Sequence, residues 1–179
     1  KNRNLYQDTI IIASRKPYSN VFPKMYDEQE WLEQSLRLRI RHEYAHYLTL
    51  RYFGTMSNNM HDELLADYLG IHAIESVFKA SLFLEFIGLG EYPQYRKGGR
   101  LENYIGSPAM SDQAFQTLSL ILYRSAHNLE RFDNALGLPT SEDDVFQRFL
   151  TLTQFSLVEL ATDDIVGQME ETLSLIKGV

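Results

Sequence analysis

From Asp27 to Phe53 the chain has no glycine or proline, and charged residues alternate with apolar ones at helical spacing. This pattern predicts one long helix, with Trp31, Leu38 and Phe53 on its core stripe and Gly54 as its stop. After the short connection "GTMSNN" a second long helix is expected from about Met60 to Ile87. Two helices joined this tightly should pack as an antiparallel pair. Upstream, residues 5–13 ("LYQDTIIIA") carry a β-branched run between polar residues and read as a strand, followed by the loop "SRKPYSNVFPK".

Beyond the pair, "GLGEYPQYRKGGRLENYIGSP" is the longest irregular stretch. Helical patterns resume from about Ser111 to Phe132, with Ser111 as N-cap, and again at "TSEDDVFQRF". There Ser141 and Asp144 suit a capping-box-like start, and a last helix follows Thr162. No repeat or low-complexity segment interrupts the series. The expectation is a mainly α (α+β) fold with a small N-terminal β element. Residues 1–179 read as a single domain, which leaves room for a longer parent chain.

Composition narrows the function. At 179 residues and 44% hydrophobic content the chain can bury a core of its own. The net charge is −7 and the only basic cluster is the spaced "RLRIR", so a nucleic-acid partner is not expected. The most apolar run, "SLFLEFIGLG", is short and contains Glu85, so no integral membrane segment is expected. There is no cysteine. Any metal must therefore be held by histidine and carboxylate, and the composition suits a cytoplasmic protein. Nothing in the pattern specifies an oligomeric state.

The chemistry lies in "RHEYAHYLTLRYFGTMSNNMHDELLADYLGI", residues 41–71. Residues four apart on a helix project about 40° apart, so His42 and His46 point the same way and both imidazoles can reach one cation. Glu43 lies about 100° round from His42, where a carboxylate can hold a water beside the metal without binding the metal itself. Tetrahedral zinc needs a third protein ligand. On the second helix Glu63 and Asp67 share the apolar face that packs on the first, while His61 falls about 160° away, towards solvent. Antiparallel pairing sets Glu63 level with His46 and Asp67 level with His42, where Asp67 can accept the free ring N–H of His42.

"HEYAH" followed by "ELLAD" resembles the zincin metallopeptidases, in particular the thermolysin-like gluzincins. The resemblance covers roughly residues 36–71. It implies one Zn2+ per chain on His42, His46 and Glu63, with Glu43 as catalytic base and Asp67 as the partner of His42. The expected partner is a peptide or protein substrate. The gap from His46 to Glu63 is shorter than is usual in that group, and no motif for a substrate-binding edge strand is visible.

Several other residues, His61 included, are candidates for lining the site. Arg39 lies about 60° from His42, although a salt bridge explains it more simply. His127 is an oxyanion-donor candidate against the plainer reading of a structural or exposed histidine. Tyr104, with Tyr92 and Tyr95, belongs to the irregular stretch and either lines a cleft or packs it. A carboxylate-bridged di-iron bundle fails on count, because no second Glu-x-x-His pair exists. The competing function is a non-catalytic helical module with a structural or vestigial metal site. The expected reaction is hydrolysis of a peptide or similar amide bond.

Overall fold

The computed structural model describes residues 10–54 and 59–178. Helix α1, Glu28–Phe53, starts where Asp27 accepts the Glu30 amide at 2.8 Å, with Glu28 and Glu30 suiting the positive end of the helix dipole. Gly54 closes it at φ 72°, a left-handed conformation that glycine adopts without steric cost. Phe53, expected in the core stripe, is 47% exposed, because the last turn of α1 runs past the packed region.

Helix α2, Met60–Glu75, is capped by Asn59, which accepts the amides of His61 (2.9 Å) and Asp62 (3.0 Å). Every residue from Glu63 to His72 is buried, which makes α2 the central helix of the molecule. The single helix expected to reach Ile87 is instead broken. Ser76 takes a left-handed C-cap conformation (φ 61°), and α3 begins at Ala80 and runs to Ile87. The amides exposed by this break are taken by side chains from later in the chain: Asp133 accepts Phe78 N at 2.7 Å and Glu130 accepts Ala80 N at 3.2 Å.

Helix α4, Asp112–Leu136, begins at Ser111, which accepts Ala114 N, and extends one turn past Phe132. Helix α5, Glu142–Leu152, begins at Ser141, which accepts Asp144 N; the Asp144 carboxylate in turn accepts the amide of Thr140, one residue before the cap. A one-turn α6, Leu157–Leu160, carries a full capping box from Ser156 and Glu159, and α7 spans Ile165–Lys177. No strand forms among the described residues; an isolated bridge pairs Glu91 with Gln94. Of the expected N-terminal strand, residues 10–13 carry no secondary structure, and residues 5–9 lie outside the described residues. Among the described residues no helix is long and apolar enough to cross a membrane.

α1 and α2 are antiparallel: Leu38 lies over Gly70, His42 meets Asp67, and His46 meets Glu63. Gly70 permits the close approach, since a Cβ there would stand 3.1 Å from both the Leu38 carbonyl oxygen and its Cδ2. Gly70→Val is therefore expected to force the pair apart and to cost about 1–3 kcal/mol, a fall in Tm of roughly 3–10 °C. Thermal unfolding of the metal-free protein measures this, and an unchanged Tm would show that the helices can separate freely. Around the pair Trp31, Leu38, Leu64, Tyr68, Phe86, Phe132 and Phe149 form one fully buried core.

Candidate metal centre

Helical phase and the α1–α2 register bring three side chains to one point. His42 Nε2 and His46 Nε2 are 3.1 Å apart. Glu63 offers Oε1 at 3.5 Å from His46 Nε2 and Oε2 at 3.7 Å from His42 Nε2. The side chains are only 7%, 12% and 9% exposed for His42, His46 and Glu63. Donors bound tetrahedrally to zinc at about 2.0–2.1 Å would stand about 3.3–3.4 Å apart, so the spacing already suits such an ion.

The hydrogen bonding points the same way. His42 Nδ1 lies 2.8 Å from Asp67 Oδ1 and 2.9 Å from the Tyr18 hydroxyl, which itself donates to Asp67 Oδ1 at 2.6 Å. A proton on Nδ1 satisfies both acceptors, so Nε2 presents a lone pair towards His46. Two imidazole nitrogens this close repel unless a proton or a cation lies between them. The donor set fits a divalent metal of the zinc type.

Arg100 closes the site from the side. It enters on a 3₁₀ turn, Arg100–Tyr104, and donates from Nη1 to the Tyr18 hydroxyl (2.6 Å) and from Nη2 to Asp67 Oδ2. Its Nε lies 3.6 Å from Glu63 Oε2. Burial opposes the Arg100 charge, yet Asp67, Tyr18 and Glu63 together raise its pKa above the ordinary arginine value. Burial likewise works against the Asp67 anion, but Arg100 and His42 hold its pKa down at about 2. For Glu63 burial is outweighed by the His46 hydrogen bond and by Arg100 and His42, which lower its pKa. His46 is penalised by burial and still raised, through its hydrogen bond to Glu63 and the charges of Glu63, Glu43 and Asp62. The point between the ligands therefore favours positive charge.

These shifts fix the pH dependence of the metal-free protein. Asp67 falls from an ordinary 3.8 to about 2, so its contribution is complete above about pH 4 and is lost as pH drops through about 2. That contribution is about 2 kcal/mol, and Glu63 adds to it with the same sign. His46 acts oppositely: its contribution is complete below the ordinary 6.5 and fades as pH rises through its elevated value. Urea midpoints measured against pH in chelator should decline on both sides, and Asp67→Asn should flatten the acid limb. A variant that keeps the full acid limb would remove Asp67 as its source.

Glu43 is exposed on α1 beside the cluster, near enough for its charge to act on His46. Of the irregular-stretch tyrosines, Tyr104 alone stands beside the cluster, near Glu63; burial first, then Glu63, raises its pKa. Tyr92 stacks on Tyr123, and Tyr95 donates to Gly99 O.

Three expected lining residues lie outside the ligand set. Arg39 is captured by the carbonyls of Ser14 (2.6 Å) and Lys16 (3.2 Å). It is held by the N-terminal loop with its guanidinium over the Tyr18 ring, 5.4 Å from the centroid, so it borders the cluster through Tyr18. His127 packs edge-on to Tyr123 and lies 3.9 Å from Glu130, with its side chain 43% exposed. His61 turns away from the ligands, but not into open water: it is half-buried beside the Phe155 backbone, its Nε2 has no hydrogen-bond partner, and burial lowers its pKa. The folded α5–α6 connection lies where solvent was expected.

Sequence reasoning missed Tyr18 and Arg100. Both sit on 3₁₀ turns outside any long periodic element. The one available signal was charge, since Glu43, Glu63 and Asp67 around two histidines call for a compensating cation.

No curated protein and no solved structure matches the chain. A model described as a family of unknown function (DUF7005) matches residues 1–164, and by that coverage the chain belongs to this family.

Proposed function

We propose that this chain is a zinc-dependent hydrolase that cleaves peptide bonds, with Glu43 as general base. The observation that carries the reading is the convergence of two Nε2 atoms and the Glu63 carboxylate at tetrahedral ligand spacing, with a free carboxylate on the adjoining exposed face. His42, His46 and Glu63 would hold the ion. Zinc so held supplies Lewis-acid polarisation of a carbonyl and an acidified water.

The other residues have separable tasks. Asp67, braced by Tyr18 and Arg100, keeps His42 in the tautomer that leaves Nε2 free. The Glu43 carboxylate takes the proton of the attacking water and returns it to the leaving amine. Tyr104 stays protonated at neutral pH and stands beside Glu63 as a hydrogen-bond donor for a developing oxyanion. Tyr104 also borders an open cavity of about 460 Å³, shared with His61, Asn103 and Leu118, which is the adjoining space for substrate.

A closed structural zinc site would need a fourth protein ligand. Among the described residues the ligand group comprises His42, His46 and Glu63, and His61 is turned away, which favours an open fourth position. The test is elemental analysis of the purified protein together with cleavage of a peptide library. About one zinc per chain is expected, with cleavage abolished by a chelator and restored by zinc. Failure of the protein to retain zinc after metal supplementation would overturn the reading.

A further inference from the structure

The loop before α1 supplies one side chain to the metal centre. Residues 14–21 lie along the first half of α1, and Tyr18 among them is buried. Three α1 side chains hold the loop's backbone. Ser35 Oγ accepts the Tyr18 amide at 3.0 Å, Trp31 Nε1 donates to Val21 O at 2.7 Å, and Arg39 donates to the carbonyls of Ser14 and Lys16. The turn is nevertheless a costly one. Ser19 and Asn20 follow one another at φ 52° and 53°, a left-handed conformation that residues with a Cβ keep only where their surroundings impose it.

The strongest anchor is the far end of the Tyr18 side chain. The ring meets Phe86 edge-on at 4.9 Å, with the guanidinium groups of Arg39 and Arg100 at 5.4 and 5.3 Å from its centroid. The hydroxyl donates to Asp67 Oδ1 at 2.6 Å, accepts from Arg100 Nη1 at 2.6 Å and stands 2.9 Å from His42 Nδ1. A hydroxyl has one proton, and here it goes to Asp67. The Tyr18 oxygen therefore faces His42 as an acceptor, and the Nδ1 proton of His42 is shared between Asp67 and Tyr18.

This arrangement ties the loop to whatever His42 Nε2 holds. A cation on Nε2 draws electrons from the ring and makes the Nδ1 proton a stronger donor. The loop is then held more firmly when the ion is bound, and the ion more firmly when the loop is docked. Linkage makes the two effects equal in size. We infer that Tyr18 is a positioning residue for the ligand His42, and that docking of residues 14–21 and metal binding are coupled through its hydroxyl. Loss of such an outer partner of a ligating histidine lowers metal affinity about 10–100-fold, so a bound ion should slow opening of the loop by the same factor. The coupling rests on the metal-binding part of the proposed function and not on peptide cleavage.

The test is amide hydrogen exchange of the whole chain in chelator and in saturating zinc, with zinc affinity read separately by competition with a chromophoric chelator. The reporters are the Tyr18, Asn20 and Val21 amides, all hydrogen-bonded in the docked loop, and the amides of α7 serve as a remote reference. In the wild type zinc should slow the loop amides about 10–100-fold, beyond any slowing in α7. Tyr18→Phe should bind zinc at least about tenfold more weakly and lose the extra protection of the loop. Ser35→Ala weakens a backbone anchor but keeps the phenol, so Asn20 and Val21 should exchange faster in both states while the zinc factor persists. Equal slowing of loop and α7 in the wild type, or wild-type zinc affinity in Tyr18→Phe, overturns the coupling and leaves the metal centre standing. A wild type that takes up no zinc overturns the metal reading and the coupling with it. Should Tyr18→Phe not fold, the wild-type comparison alone decides.

Discussion

Glu43→Gln is expected to retain about one zinc per chain and to lower peptide hydrolysis by at least about 10²-fold. Glutamine keeps the size of the side chain and can still bond a water, but it cannot take a proton. Glu43 is exposed and makes no hydrogen bond within the described structure, so its loss should leave Tm nearly unchanged. A purely structural centre has no use for a base here, and this separates the two functional readings. The measurement is kcat on whichever library peptide the wild type cleaves, alongside zinc content. A variant that hydrolyses that peptide at the wild-type rate would eliminate Glu43 as the base.

Removing a ligand should act on the metal first. His46→Ala or Glu63→Ala leaves two protein ligands, and two rarely hold zinc tightly, so stoichiometric zinc and activity should both be lost. Metal-linked stabilisation should vanish with them: the wild type in zinc at about 100 times its Kd gains about 2.7 kcal/mol over the metal-free form, and the variants gain almost none. His61→Ala provides the internal comparison. That ring is turned towards Phe155, so zinc content should persist. Competition with a chromophoric chelator measures all three. Zinc lost in His61→Ala and kept in Glu63→Ala would reverse the ligand assignment.

The parts of the site that obey helical phase are legible in the sequence alone. His42 and His46 follow from a four-residue step, and Glu63 and Asp67 follow from the apolar face of α2 and the tight connection before it. Phase gives a direction but not a neighbour, and this explains the misplacements. Arg39 lies within about 60° of His42, with a salt bridge as the simpler expectation; the carbonyls of Ser14 and Lys16 hold it instead, with its guanidinium over the Tyr18 ring. His61 was counted towards water, yet the chain folds back at Phe155 to cover it. The break after Glu75 was hidden for a related reason. Nothing in the local residues rules out helix there, and the groups that satisfy its amides, Asp133 and Glu130, arrive from α4. Tyr18 and Arg100 had no phase to read at all.

Arg100 also has a bearing on the order in which the molecule is made. The ribosome releases His42, His46, Glu63 and Asp67 well before the turn that carries Arg100 and Tyr104. Until that turn emerges, Glu63 and Asp67 lack the guanidinium that answers their charge in the folded protein. The same turn then delivers both the guanidinium that locks Asp67 and the phenol that reaches Glu63. Capture of an ion can thus precede the architecture that disciplines it, while the guanidinium clamp and the phenol arrive together, in one late docking event.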